Sequence, residues 1–154
     1  MHRTRPISSP ARVQRGVGLI EVLVAVLVLA IGMLGMAALQ ATTLRNGRSA
    51  QERSQAVIQS YSIIDAMRAN RQAALDGAYA LTPSASACGT PASSNAQAQA
   101  DLQTWATAIT SAVGDGACGG INCDANLCTV SIRWDDERGT GGIANLEFRT
   151  QVAL

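Results

Sequence analysis

The sequence predicts an α+β chain, in which a long N-terminal helix, apolar along its first half, packs on a small antiparallel sheet with a second helix. Three observations predict it. Residues 22–39 are only Val, Leu, Ala, Ile, Met and Gly. Apolar residues then recur at helical spacing, through Val57, Ile58, Tyr61 and Ile64 and again through Leu102, Trp105, Ala106, Ile109 and Val113. Near the C-terminus, residues 129–134 and 146–152 alternate apolar with polar, as half-buried strands do. Composition agrees: 47% of the 154 residues are hydrophobic but only 3% aromatic, which suits one apolar helix and a small core better than a large enzyme core.

The first segment, residues 1–16, carries Arg3, Arg5, Arg12 and Arg15 and no acid, and Pro6 and Pro10 argue against helix there. From residue 17 onward 8 Arg face 11 acids, so a basic head precedes an acidic body. That asymmetry does not suit nucleic-acid binding and reads as a topology signal. What it orients is the apolar run. As a helix, residues 22–39 span about 27 Å, close to the hydrocarbon thickness of a bilayer. Arginines before the run keep the short N-terminus cytoplasmic and send the rest across. A cleaved secretory signal is the competing reading, but it requires a shorter apolar stretch followed by small residues at a cut site.

The helix is expected to continue from Val17 to about Ala74, turning polar beyond Arg45, with the stripe through Val57 and Ile64 docking the remainder. Gly32 and Gly35 lie within the span, where they let neighbouring helices approach or the helix loosen. Arg45, Arg48 and Arg53 form a basic patch just past the membrane, suited to acids on adjacent subunits or to phospholipid headgroups. Gly77 and Pro83 end the helix and open a loop rich in Ala, Ser, Thr and Gly. A second helix follows over about 95–113, capped by Ser94 or Asn95. Residues 114–120 break it, and residues 135–142 form the turn between the two strands.

Glu21 is the only charge between Val17 and Leu44. A carboxylate at that depth costs several kcal/mol unless it is neutralised, paired or placed at the interface. Taken alone it fits a headgroup-level acid at a helix N-terminus. Its surroundings, Gln14-Arg15-Gly16-Val17-Gly18-Leu19-Ile20-Glu21-Val22, resemble the processing site of type IV prepilins and pseudopilins. In those families a basic leader ends in Gly, and Glu is fifth in the mature chain, as Glu21 is when Val17 is first. The resemblance implies that a prepilin peptidase cuts between Gly16 and Val17 and methylates the new amine, and that Glu21 pairs with the N-terminal amine of a neighbouring subunit. Val17 stands where these families usually place Phe. Further along, 29–40, Met67-Arg68-Ala69-Asn70-Arg71, Asp101-Leu102-Gln103-Thr104-Trp105, Arg133-Trp134-Asp135-Asp136 and Phe148-Arg149-Thr150 resemble the PilV-type minor pilins, the type IV pilus modification proteins.

That resemblance implies three parts: a leader over 1–16, a transmembrane and filament-core helix over 17–44, and an exported pilin-like region over 45–154. It implies a single-pass inner-membrane subunit, N-terminus cytoplasmic and C-terminus periplasmic, which then enters a pilus at or near its tip. Implied partners are other pilins and minor pilins, the prepilin peptidase, the inner-membrane assembly machinery, the membrane itself and a tip adhesin. A type II secretion pseudopilin and a DNA-receptor pilin are the alternative readings. Cys88, Cys118, Cys123 and Cys128 all fall in the exported part. An even count there predicts two disulfides, with three possible pairings; the Gly, Asn and Asp between the last cysteines favour one bridge from Cys128 to Cys118 or Cys123 across a hairpin. Zinc is the competing reading, but gaps of four residues do not make CxxC knuckles. No catalytic residue, cofactor or metal site is expected. The sole His is His2, there is no Lys, and Gly139-Thr140-Gly141-Gly142 lacks the Lys of a phosphate loop. Asp135, Asp136 and Glu137 lack EF-hand spacing and are expected to form a solvated acidic turn.

Overall fold

The computed structural model describes residues 16, 18–83 and 88–154; the rest of the basic leader and Val17 lie outside them. Six elements follow in order: α1 (Leu19–Ala69), α2 (Arg71–Leu75), α3 (Ala96–Val113), β1 (Cys118–Asp124), β2 (Leu127–Trp134) and β3 (Leu146–Ala153). The arrangement is α+β, a long N-terminal helix with a small antiparallel sheet and a second helix, as in pilin-like chains. Contacts divide the chain into two units, Met1–Gln40 and Ala41–Leu154.

In the first unit every residue of α1 is exposed, although nearly all are apolar: Leu23 is 65% exposed, Ile31 63% and Leu34 72%. The helix is apolar on all sides rather than along one stripe. A helix of that kind belongs to hydrocarbon or to a bundle of similar helices, not to water. It meets the length and composition needed to cross a membrane.

The second unit holds the core. The buried face of α1 is Ala56, Ser60, Ile63, Ile64 and Met67, with Glu52 at its upper end. This face is rotated from the stripe expected through Ile58 and Tyr61, which are instead 53% and 56% exposed. The reason is packing: Ala56 and Ser60 are small enough for close approach, and the Ser60 hydroxyl bonds back to the Ala56 carbonyl at 2.8 Å. The helix ends at Ala69 rather than near Ala74. Asn70 leaves helical geometry (φ −118°, ψ 47°), α2 adds one further turn, and Gly77 at φ +82° closes it.

Asn95 caps α3, its side-chain oxygen accepting from the Ala98 N–H at 2.9 Å. Ala98, Leu102, Trp105, Ile109 and Val113 then line its buried face. Trp105 is the central tie. Its Nε1 donates to the Gln59 carbonyl of α1 at 2.9 Å, and its ring lies against Gly119 of β1, where a Cβ would strike it.

The sheet order is β1-β2-β3, antiparallel throughout, with Ile121 opposite Val130 and Ile132 opposite Phe148. Alternate residues Cys128, Val130, Ile132 and Trp134 of β2 are buried, while β3 covers the core only partly through Leu146, Phe148 and Val152. Strand β1 begins inside the break expected over residues 114–120 and runs on to Asp124, where the sequence suggests only a hairpin bridged through Cys128 and names no strand. Gly119 and Gly120 erase the alternation that marks a strand, and pairing with β2 makes it one.

Candidate functional site at the N-terminal helix

Glu21 stands in the first turn of α1, where its backbone N–H and that of Val22 donate to the Gly18 carbonyl at 3.0 and 3.3 Å. Its side chain is exposed and makes no ion pair among the described residues. A carboxylate at that end of a helix is favoured by the backbone dipole, so the position costs little while it faces water. Set among apolar side chains on every side, the same charge calls for a cation once the surroundings become hydrocarbon. Gly16 is also exposed, and among the described residues no heavy atom beyond its chain neighbours lies within 4 Å of where its Cβ would stand. Val17 itself lies outside the described residues.

The four cysteines are joined as Cys88–Cys118 and Cys123–Cys128. The second bridge links residues directly opposite each other in the β1–β2 hairpin, whose turn includes Ala125 at φ +52°. The first ties the loop after Pro83 to the start of β1, closing a separation of 30 residues. No group of His, Cys, Asp and Glu among the described residues is arranged to hold a metal ion.

The acidic turn after β2 is not the solvated one expected. Asp135 and Glu137 are exposed, but Asp136 is buried, its side chain 1% accessible. Arg53 of α1 donates to its Oδ2 at 2.6 Å. Burial pushes this carboxyl up, but hydrogen bonds from Arg53 and Ser49 and the Arg53 charge outweigh it and hold the pKa below the ordinary value. Nearby, the Thr140 N–H donates to Asn46 Oδ1 at 3.0 Å, so the β2–β3 loop is fastened to α1 at two levels. Two members of the basic patch are likewise answered within the chain, Arg53 by Asp136 and Arg48 through its Nε by Glu52 at 3.2 Å. Sequence reading missed this pairing because residues 53 and 136 share no local pattern. The one available signal was an acid placed two residues after the buried Trp134, in phase with the inward face of β2.

At the other end of α1, Tyr79 is fully buried and donates to Asp101 Oδ2, while Asn70 Nδ2 donates to the Tyr79 oxygen at 3.3 Å. Burial and the adjoining Asp101 raise the phenol's pKa. The group ties α3 to the end of α1.

Residues 11–37 match the family model described as the prokaryotic N-terminal methylation motif. No curated protein matches the chain, and no solved structure does. The match covers the end of the basic segment, the Gly16–Val17 bond, Glu21 and most of the apolar run. A prepilin-type motif on an exposed apolar helix supports a type IV pilin-like chain, with a single-pass anchor, processing by a prepilin peptidase and assembly with other pilins into a pilus or pseudopilus. It points to a structural subunit rather than an enzyme.

Proposed function

We propose that this chain is a minor pilin of a type IV pilus, cut between Gly16 and Val17, methylated on Val17, and built into the filament through α1 to prime or modify assembly. The observation that carries the reading is the methylation motif, with its lone carboxylate at Glu21, at the head of a helix whose apolar side chains are exposed on every side. Cleavage creates a cation, the Val17 amine, one helical turn from that carboxylate in sequence. A neighbour's amine can neutralise Glu21 only when two subunits meet at low dielectric, where a charge pair is screened far less than in water. The shorter resemblances at residues 67–71, 101–105, 133–136 and 148–150 favour a PilV-type minor subunit over a type II secretion pseudopilin. The acidic exported part speaks against a DNA-receptor role. Before assembly the subunit sits in the inner membrane with residues 45–154 in the periplasm; afterwards it lies at or near the pilus tip, beside other minor pilins and an adhesin.

The test has two parts. Mass spectrometry of mature protein should find an N-methylated Val17 and no residues 1–16. A Glu21→Gln variant should be cut and inserted normally yet be depleted from sheared pili. Entry of that variant at the wild-type ratio would show Glu21 to be only an interfacial acid. Recovery of the wild-type subunit from pseudopili, and not from surface pili, would favour the secretion reading.

A further inference from the structure

An anchor of this topology keeps its arginines on the cytoplasmic side, yet the charge-free run over residues 22–44 is followed at once by Arg45, Arg48 and Arg53. Arg53 is accounted for by buried Asp136, and Arg48 in part by Glu52, which engages its Nε. Arg45 is exposed and makes no ion pair among the described residues, and the same holds for Arg138 on the β2–β3 loop. Although distant in sequence, Arg138 comes to the same place: its Nη2 lies 3.9 Å from where a Cβ on Gly114 would stand. Gly114 belongs to one wall of a cleft of about 570 Å³, formed by residues 111–114 at the end of α3, whose other wall is Thr43, Leu44, Arg48 and their neighbours on α1. Arg48 thus lines the cleft, Arg138 reaches Gly114 at its edge, and Arg45 follows the lining residue Leu44 directly in α1, while the acid in the lining, Glu52, is buried and already paired.

We propose that this cleft binds the headgroup of an anionic membrane phospholipid, with Arg45, Arg48 and Arg138 around the phosphate. The proposal rests on the reading that residues 22–39 span a bilayer and the rest is exported. Two features select a lipid. Guanidinium groups match phosphate oxygens in charge and geometry. Leu44, 75% exposed beside Arg45 at the end of the charge-free run, offers the apolar surface that a lipid's glycerol and upper chain can cover and a soluble anion cannot. The unassembled subunit is thereby held at the membrane surface until neighbours displace the lipid.

The test uses the full chain in non-ionic micelles, mixed with phosphatidylglycerol or phosphatidylcholine, and counts retained lipid by native mass spectrometry. The variant is Arg45→Gln with Arg138→Gln, which leaves the Arg48–Glu52 pair in place. Wild type should retain phosphatidylglycerol in preference to phosphatidylcholine. The double variant should lose about fivefold in affinity for each arginine removed, while Arg68→Gln, an exposed arginine elsewhere on α1, should change nothing. Equal retention of the two lipids, an unaltered double variant, or an equal loss in Arg68→Gln would each overturn the site. The N-terminal mass and protease protection of the same chain in cells are read separately. A chain cut at Val17 and exported that ignores phosphatidylglycerol sinks the lipid site alone, whereas an uncut or unexported chain sinks the reading beneath it.

Discussion

Removing the exposed member of the Arg53–Asp136 pair should cost more than removing the buried one. Arg53 is 56% exposed, so when Asp136→Asn takes away its partner's charge the guanidinium rehydrates and still donates to the amide oxygen. The loss is the difference between a charge-assisted and a neutral hydrogen bond, about 1 kcal/mol. Arg53→Met keeps the aliphatic stem but strands a carboxylate in a site 1% accessible. That carboxyl can escape only by taking a proton. Against an ordinary value near 3.9, protonation at pH 7 costs about 4 kcal/mol, which sets the ceiling; the Ser49 hydrogen bond brings the expected cost to about 2–4 kcal/mol. The pH dependence should also change sign. In wild type the carboxyl's pKa is depressed, so its contribution is complete above the ordinary carboxyl value and is lost as pH falls through its own lower one. In Arg53→Met burial dominates and raises the pKa, so the variant should recover stability as pH falls from 7 towards 5, by at most about 1.4 kcal/mol per pH unit once pH is below that raised value. Near-ultraviolet circular dichroism of the buried Trp105 and Trp134 would follow melting of the full chain in non-ionic detergent, at about 4 °C per kcal/mol. The reasoning fails if Asp136→Asn costs as much as Arg53→Met, or if acidification to pH 5 destabilises both proteins alike.

The two disulfides should contribute unequally. Closing a separation of 30 residues constrains the unfolded chain by about 3.6 kcal/mol and closing 5 by about 2, so Cys88→Ala with Cys118→Ala should lower stability by about 1.5 kcal/mol more than Cys123→Ala with Cys128→Ala in denaturant titrations. Gly119→Ala should destabilise by about 1–3 kcal/mol, because its Cβ meets the Trp105 ring and Ile109; a neutral result would mean that α3 can slide on β1.

Elements with a strong local period were legible from the residues alone. The end of α3 at Val113, the Asn95 cap and most of β2 and β3 follow from apolar spacing and turn chemistry. What escaped depends on partners far away in the chain. Strand β1 has no alternation of its own, and the buried face of α1 is chosen by what packs there rather than by where Ile58 and Tyr61 fall. The fate of Asp136 was hidden for the same reason, since an acid in a Gly-rich turn looks solvated until an arginine from another element reaches it. At the N-terminus the reverse held: the motif at Gly16, Val17 and Glu21 is local and was read directly. The roles assigned to those residues concern encounters with a peptidase and with other subunits, which a single chain does not contain.

The outer face of the first part of α1 carries a further consequence. A cylinder covered with aliphatic groups on every side has no azimuth of its own, so hydrophobic contact alone cannot decide which way such a helix is turned against another. Only the exceptions break the symmetry. At about 100° per residue, Gly32 falls about 20° from Glu21 around the axis and Gly35 about 40° to the other side. The carboxylate and the two positions without side chains thus share one meridian, and, apart from the adjoining backbone of the helix itself, no heavy atom among the described residues lies within 4 Å of where a Cβ on either glycine would stand. Along that line a second helix can come closest to backbone while meeting the one charge. On the assembly proposed above, that line is the side of the rod that a neighbouring helix would read.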